Sequence, residues 1–278
     1  MNPGILYLVP TPIGNLEDMT ARALHVLESV DVIAAEDTRH SKTLLNHYGI
    51  STGLLALHEH NEKQRAESLI SRMQQGDSIA LISDAGTPLI SDPGFPLVRA
   101  CREAGIRIVA LPGACAAITA LSASGLPTDT FRFCGFLPAK QGARVKHLQS
   151  LADATETLVF YEAPRRILEC LEDIATVFGG HREVVIGREL TKQFETYLAG
   201  EATQVHQLIA QDSNQQRGEM VLLIHGAQKH QDETPKEALA LLSLLSAELP
   251  PKKAAKLVAE HYGLSANQLY QHKLTQQD

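Results

Sequence analysis

Tryptophan is absent from the chain, and phenylalanine and tyrosine bring the aromatic content to only 5% of 278 residues. The core must therefore be mostly aliphatic, drawn from an apolar fraction of 44% that is ordinary for a globular protein. Cysteine is also scarce. Cys101, Cys115, Cys134 and Cys170 are scattered, with no CxxC pair, which excludes a thiolate zinc site and a disulfide framework. Cys101 and Cys170 fall in helical patterns, where buried free thiols are common. No apolar run approaches the roughly 20 residues that span a bilayer, and no signal-peptide pattern precedes the first strand. Positive charge is in deficit too. The net charge of −7 argues against a broad nucleic-acid-binding surface but leaves room for local basic patches. A reduced, cytoplasmic protein is expected, long enough for two domains of ordinary size.

What the chain does have is clearest in Ile79-Ala-Leu-Ile-Ser-Asp-Ala-Gly-Thr-Pro-Leu-Ile-Ser-Asp-Pro-Gly94. Ile79 to Ile82 reads as a strand buried on both faces. It breaks into Ser83, Asp84, Gly86, Thr87 and Pro88, and again at Asp92-Pro93-Gly94 before a helical pattern. In an open α/β sheet, ligands sit at the carboxyl ends of strands, where such loops lie. Gly86 lets a ligand touch backbone, Pro88 stiffens the loop, and Asp84 and Thr87 offer polar contacts. The same residues also suit an ordinary strand-to-helix turn.

Around this stretch, strands alternate with helices. Strands are expected at Gly4 to Val9, Val32 to Ala35, Leu54 to Leu57 and Ile106 to Leu111, with helices after Asp18 or Thr20, from Ser41 to His47, Gln64 to Gln75 and Pro96 to Ala104. That alternation predicts a mostly parallel sheet. Pro112-Gly113 then opens a helix rich in small residues, whose free amides favour an anion or carboxylate. A second α/β half follows, with strands at Phe131 to Gly135, Thr157 to Tyr161, Val184 to Gly187 and Met220 to His225. Its helices are expected from about Gly142 to Ala152, from Ile167 to Phe178 and near Ala202 to Gln211. Gln228 to Pro235 reads as a linker. Beyond it lie helices at Glu237 to Glu248, Lys252 to His261 and Ser265 to Lys273, which resemble a helix-turn-helix. There Lys252, Lys253, Lys256 and Lys273 face one acid, Glu260. Either nucleic-acid contact or a solvated amphipathic cap accounts for this segment. The division expected is 1–113, 114–227 and 234–278.

Several motifs occur in one order: Pro10-Thr-Pro-Ile-Gly-Asn-Leu16, Ala35-Glu-Asp-Thr-Arg39, Ser83-Asp-Ala-Gly-Thr-Pro88, Leu111-Pro-Gly-Ala-Cys115, Gly135-Phe-Leu-Pro138, Phe160-Tyr-Glu162 and Arg188-Glu-Leu-Thr-Lys192. No single one is decisive. Together they resemble the bacterial small-subunit ribosomal RNA 2′-O-ribose methyltransferases of the tetrapyrrole methylase superfamily, over about residues 4 to 275. The resemblance implies two α/β domains with mostly parallel sheets and a small helical C-terminal segment. It implies S-adenosylmethionine in the cleft between the domains, commonly a homodimer, and a decoding-centre cytidine of 16S ribosomal RNA in the 30S subunit as acceptor. The superfamily's first loop is often a GxGPG-type sequence. Here it is Pro-Thr-Pro-Ile-Gly-Asn, which speaks against transferring a porphyrin-binding role. A methyltransferase acting on a tetrapyrrole or other small acceptor, and a non-catalytic RNA-binding assembly factor, are the competing readings.

Within that resemblance the residues sort by chemistry. Methyl transfer needs alignment above all, and Pro10, Thr11, Asp84, Gly86, Thr87, Leu89, Cys115, Ala116, Tyr161 and Met220 are the candidates for holding the donor. A ribose hydroxyl must lose its proton, and Glu36, Asp37, Glu162, Glu189 and Lys192 at strand ends can serve as the base. Arg39, Lys140, Arg144, Lys146, Arg165, Arg166 and Arg188 are candidates for holding phosphates, since guanidinium forks fit them. Acid–arginine ion pairs are the alternative for those clusters. His58-Glu59-His60 can turn two imidazoles to one side of an extended segment, but no third ligand is apparent and the chemistry requires no metal.

Overall fold

The computed structural model describes residues 4–58, 61–227 and 235–275, the side chains of Lys63, Leu274 and Thr275 excepted. The chain forms two compact units, Met1–Ala227 and Gln228–Asp278.

The first unit holds two five-stranded sheets. In its amino-terminal half, strands β1 (Ile5–Leu8), β2 (Val32–Ala35), β3 (Leu54–Ala56), β4 (Ile79–Ile82) and β5 (Arg107–Ala110) alternate with helices α1 (Ala21–Ser29), α2 (Thr38–His47), α3 (Glu62–Gln74) and α4 (Phe95–Glu103). The order is β3-β2-β4-β1-β5, and every pairing is parallel. Strand β4 is buried along its whole length because aliphatic layers cover both faces. Leu27, Ile33, Ala80 and Ile82 lie on one side, and Leu6, Leu69, Ile79 and Leu81 on the other. Local chemistry sets the helix starts. The Thr20 hydroxyl accepts the Ala23 amide, and the Asp37 carboxylate accepts the Arg39 and His40 amides, satisfying donors that a helix leaves open. That cap starts α2 at Thr38, ahead of the Ser41 expected.

Helix α5 (Ala116–Ala123) leads into the second half. There β6 (Phe131–Phe136), α6 (Gln141–Gln149), β7 (Thr157–Glu162), α7 (Ile167–Phe178), β8 (Glu183–Arg188), β9 (Thr196–Glu201), α8 (Ala202–Gln211) and β10 (Met220–Ile224) follow in turn. The sheet order is β6-β7-β10-β8-β9. Only β6 and β7 run parallel. The other pairings are antiparallel, so this sheet is mixed rather than mostly parallel. The reason lies in β9, which the pattern does not announce: the chain reverses after β8 into a hairpin, where a parallel arrangement needs a longer crossover. Along β10, Leu222 and Ile224 enter one aliphatic layer while Val221 and Leu223 enter the opposite one. The second of these layers also takes in Ile13 from the β1 loop, which ties the two halves together.

The C-terminal unit consists of α9 (Lys236–Glu248), α10 (Pro251–Tyr262) and α11 (Ala266–Thr275). Ala238, Leu242, Ala254, Ala255, Val258 and Leu269 form its core, with small alanines letting the helices approach. Most of the linker expected at Gln228 to Pro235 lies outside the described residues. No helix among the described residues is long and apolar enough to cross a membrane.

Candidate active site

The connection from β1 leads to β2 on one side of the sheet, and the connection from β4 leads to β5 on the other. The loops after these adjacent strands therefore part at a topological switch point, where α/β sheets hold ligands. Thr11 and Gly86 form an isolated bridge across that point, and the Thr11 hydroxyl donates to the Ser83 carbonyl at 3.2 Å. Gly86 sits at φ 81°. A Cβ there would stand 3.2 Å from Ile13 Cγ2, so the loop keeps bare backbone at this point. A cleft of 310 Å³ opens here, at the lower end of ordinary ligand pockets. Ile13, Gly86, Thr87, Ile90, Ser91 and Asp92 line it from the amino-terminal half, and Phe136, Tyr161, Leu190, Glu219 and Met220 from the other.

Of the residues expected to hold the donor, Gly86, Thr87, Cys115, Ala116, Tyr161 and Met220 line this cleft. The Thr87 hydroxyl donates to the Ala114 carbonyl at 2.8 Å, which joins the β4 loop to the start of α5. Tyr161 receives the Ala117 amide at 3.3 Å, and burial pushes its phenol well above the ordinary value. Pro10 and Thr11 are buried and, like Asp84 and Leu89, are not among the lining residues. Asp84 accepts the Asp37 amide at 3.1 Å, joining the ends of β2 and β4.

Backbone strain gathers at the same place. Among the described residues, Leu89, Ser91, Glu189 and Thr191 are the non-glycine residues with positive φ. They flank the lining residues Ile90 and Leu190. Strain of this kind persists where surrounding structure enforces it, and it clusters at functional sites.

The acids expected as bases have different surroundings. Glu36 is half-buried, and burial raises its carboxyl first, with the charges of Asp84, Asp92 and Asp37 adding to the rise. Burial likewise raises Asp92, helped by Asp84 and opposed by a hydrogen bond from Ser83. Asp37 is spent on capping α2, and the Arg39 amide is the main cause of its lowered carboxyl. Glu162 is 3% exposed. Its carboxylate accepts from the Ala163 amide at 2.7 Å, Arg166 Nε at 2.8 Å and Cys170 Sγ at 3.1 Å. Glu189 and Lys192 pair at 2.8 Å, and Lys192 Nζ makes an equal contact with Glu219. Burial alone would lower Lys192, but the two carboxylates outweigh it and hold the ammonium above its ordinary value.

The expected phosphate-binding cations divide sharply. Arg39, with its side chain 92% exposed, and Lys140, Lys146 and Arg165 face solvent. Arg144 does not: its side chain is 1% exposed, with Nε 2.6 Å from Asp173 and a second guanidinium nitrogen 3.5 Å from Glu169. Arg188 is 7% exposed and donates to Gln215, Phe194 O and Thr196. Arg166 is held by Glu162 and by the Leu137 carbonyl at 2.7 Å. The Arg144 and Arg188 guanidinium groups are internal struts, and Arg166, 18% exposed, is held in place by its Glu162 and Leu137 partners.

The four cysteines are free thiols, and burial pushes Cys101 up to about 11, away from thiolate chemistry. Glu59 and His60 lie outside the described residues, and no group of three or more metal-binding side chains occurs among the described ones. Several lining residues escape sequence reasoning: Ile13, Ile90, Ser91, Asp92, Phe136, Leu190, Glu219 and Val221. Ile13, Phe136 and Leu190 stand inside the ordered motifs, and Ile90, Ser91 and Asp92 inside the Ile79–Gly94 stretch, where position beside a strand end is the available signal.

A parallel sheet with a cleft at its switch point, joined to a mixed sheet, is an architecture suited to binding a ligand between strand-end loops, and the class it belongs to here is the tetrapyrrole methylases. The family model "Tetrapyrrole (Corrin/Porphyrin) Methylases" matches residues 5–206, and "RsmI C-terminal HTH domain" matches residues 232–277. Ribosomal RNA small subunit methyltransferase I of Escherichia coli O157:H7 is 55% identical over 274 residues, covering 99% of this chain and 96% of that protein. The protein of that name from Vibrio cholerae serotype O1 is 57% identical, covering 96% and 93%. Among solved structures, the methyltransferase CobJ superposes with a TM-score of 0.60 at 18% identity, covering 81% of this chain and 95% of that one. Uroporphyrin-III C-methyl transferase from Thermus thermophilus, complexed with S-adenosyl homocysteine, gives 0.55 at 16% identity, covering 80% and 97%; such likenesses show the fold. The chain belongs to the ribosomal RNA small subunit methyltransferase I family of tetrapyrrole methylases, and is an S-adenosylmethionine-dependent methyltransferase.

The cleft's residues fit that donor. Ile13, Ile90, Leu190 and Val221 offer apolar surface for a flat ring, Gly86 leaves backbone accessible, and Asp92 and Glu219 place acids beside a cationic group.

Proposed function

We propose that the chain methylates the ribose 2′-hydroxyl of a decoding-centre cytidine in 16S ribosomal RNA, within the 30S subunit and in the cytoplasm. The observation that carries this reading is the cleft at the β1–β4 switch point, in a chain 55% identical to a ribosomal RNA small subunit methyltransferase I over nearly its whole length. We treat residues 1–113 and 114–227 as the two domains that close on the donor, and a homodimer as the working form.

S-adenosylmethionine supplies an activated methyl group on a positively charged sulfur. The chain's own work is alignment, which can supply several kcal/mol, up to roughly 7–11. Gly86, Thr87, Cys115, Ala116, Tyr161 and Met220 form the wall that holds the donor, and the Thr11–Gly86 bridge fixes that wall. Pro10, Thr11, Asp84 and Leu89 support it from behind. On the acceptor side, Lys192 remains an ammonium between Glu189 and Glu219. In that form it steadies developing negative charge on the ribose oxygen rather than removing a proton. Glu219 lines the cleft and is the acid placed to receive the hydroxyl proton on a carboxylate oxygen, while Glu189 positions Lys192. Glu36 stands behind the cleft, beside Asp84 and Asp92, and Asp37 holds α2 in place. Arg39, Lys140, Lys146, Arg165 and the C-terminal lysines are the phosphate contacts.

Incubation with methyl-labelled donor and either 30S subunits or uroporphyrinogen tests the reading. Label is expected in the RNA of the subunit. Label in the tetrapyrrole alone contradicts it.

A further inference from the structure

Phe136 is a large aromatic side chain that the fold leaves 58% exposed while placing it in the cleft wall. Its position comes from an irregularity in β6. Phe133 stands opposite Val159 and Phe136 opposite Tyr161, so three steps of β6 match two of β7. In a regular strand, residues three apart point to opposite faces. The extra residue cancels that alternation, and Gly135 makes it feasible by adopting φ 68°. Phe133 and Phe136 consequently both meet the Tyr161 ring, with centroids 5.0 and 5.7 Å away. Phe133 completes the packing beneath, and Phe136 remains open to the cleft.

Cations stand at the same edge. β6 and β7 are parallel neighbours, and the loops leaving their carboxyl ends carry the exposed Lys140 and Arg165. The bond from Arg166 to the Leu137 carbonyl ties those two loops together. An open aromatic face beside solvent-facing cations is the pairing that single-stranded RNA requires: a base stacks on the ring and the flanking phosphates meet the charges.

We infer that Phe136 is the stacking platform for an unpaired base of the acceptor RNA, with Lys140 and Arg165 holding the adjoining backbone. The inference rests on the RNA reading above and adds the element by which the cleft accepts a nucleotide displaced from its stack.

The test compares Phe136→Ala, Phe136→Leu and Phe136→Trp in steady-state methylation of 30S subunits. Stacking predicts a rise of about 5- to 150-fold in KM for the subunit in the Ala variant, with KM for the donor unchanged. The Leu variant, apolar but not flat, should behave like Ala, and the Trp variant like the wild type. Phe95, 63% exposed and outside the cleft lining, serves as control: Phe95→Ala should leave both KM values unchanged. Because the chain has no other tryptophan, Phe136→Trp also reports its own surroundings by fluorescence. Titration with S-adenosylhomocysteine alone should leave the emission unquenched. Quenching by that ligand, or a shift in donor KM instead of subunit KM, would place the donor's ring on Phe136 and overturn the inference. Wild-type subunit KM in the Ala or Leu variant would overturn it as well. In each of those cases wild-type methylation of the subunit persists, so the RNA reading stands. If wild-type protein transfers no methyl to the subunit, the RNA reading and this inference fall together.

Discussion

Thr11 and Gly86 exchange both main-chain hydrogen bonds, the Thr11 amide to the Gly86 carbonyl at 2.9 Å and the Gly86 amide to the Thr11 carbonyl at 3.0 Å. The loop after β1 is thereby locked to the loop after β4, and the cleft lies against that lock. Gly86→Val forces a branched residue to φ 81° and presses a Cβ on Ile13. The left-handed conformation alone costs about 1–2 kcal/mol. Donor affinity measured by calorimetry should fall by about tenfold or more, in a protein that still unfolds cooperatively at a somewhat lower temperature. Wild-type affinity would remove this loop from the donor site.

The Glu189–Lys192–Glu219 group carries a pH signature. Burial opposes ionisation of Glu189, but the hydrogen bonds from Lys192 and the Glu219 amide outweigh it and lower the carboxyl below its ordinary 4.5. A lowered carboxyl stabilises the fold above its unfolded value and loses that contribution as pH falls through its folded value. Lys192 is raised above its ordinary 10.5, so its contribution is complete below that value and fades only as pH climbs through the folded one. Glu189→Gln should therefore lower the melting temperature at neutral pH, and the gap from wild type should narrow as the pH falls below the ordinary carboxyl value of 4.5 and through the lowered folded one. A gap that does not change with pH would point to lost packing rather than lost charge.

Exposed and buried cations should behave oppositely. Arg165→Ala removes one solvent-facing charge, so the slope of log RNA affinity against log salt should shrink by about one unit, with stability unchanged. Arg144→Ala strips the partner from the buried Asp173 and should cost about 3–5 kcal/mol of stability in chemical denaturation. An Arg144→Ala protein of normal stability would contradict the internal pairing.

Removal of residues 234–278 tests the C-terminal unit, which has its own core around Leu242, Val258 and Leu269. Donor binding by calorimetry should be unaffected, because every lining residue of the cleft precedes it. Methylation of 30S subunits should drop. Equal rates for the truncated and full chains would make the segment a cap rather than an RNA-binding element.

The β-α alternation through Leu111 made the parallel sheet legible, since each strand is a short aliphatic run bounded by turn residues. β9 was not legible. Thr196-Tyr-Leu-Ala-Gly-Glu201 contains a glycine and follows a polar loop, and it is strand because β8 offers it an edge. Arg144 misled for a related reason. Lys140, Arg144 and Lys146 look like one basic patch in sequence. Yet Arg144 lies one helical turn from the fully buried Leu148, and that i, i+4 relation places it on the inner face of α6, against Asp173. The capping role of Asp37 is readable in principle, because an aspartate directly before a helical segment is a helix-start signal. Its position beside Glu36, at a strand end, points instead to a candidate base. The Glu189–Lys192–Glu219 group joins residues some thirty positions apart, a distance over which sequence pattern carries no information.

Nucleoside mapping of the methylated product decides whether the acceptor is a cytidine ribose in 16S RNA. Subunits lacking the modification are treated with the protein and S-adenosylmethionine. Their RNA is then digested to nucleosides and, separately, mapped for ribose-protected linkages. A single decoding-centre cytidine carrying a 2′-O-methyl group is the result expected. Methylation confined to a nucleobase, or to another region of the RNA, would rule out the decoding-centre cytidine ribose as acceptor.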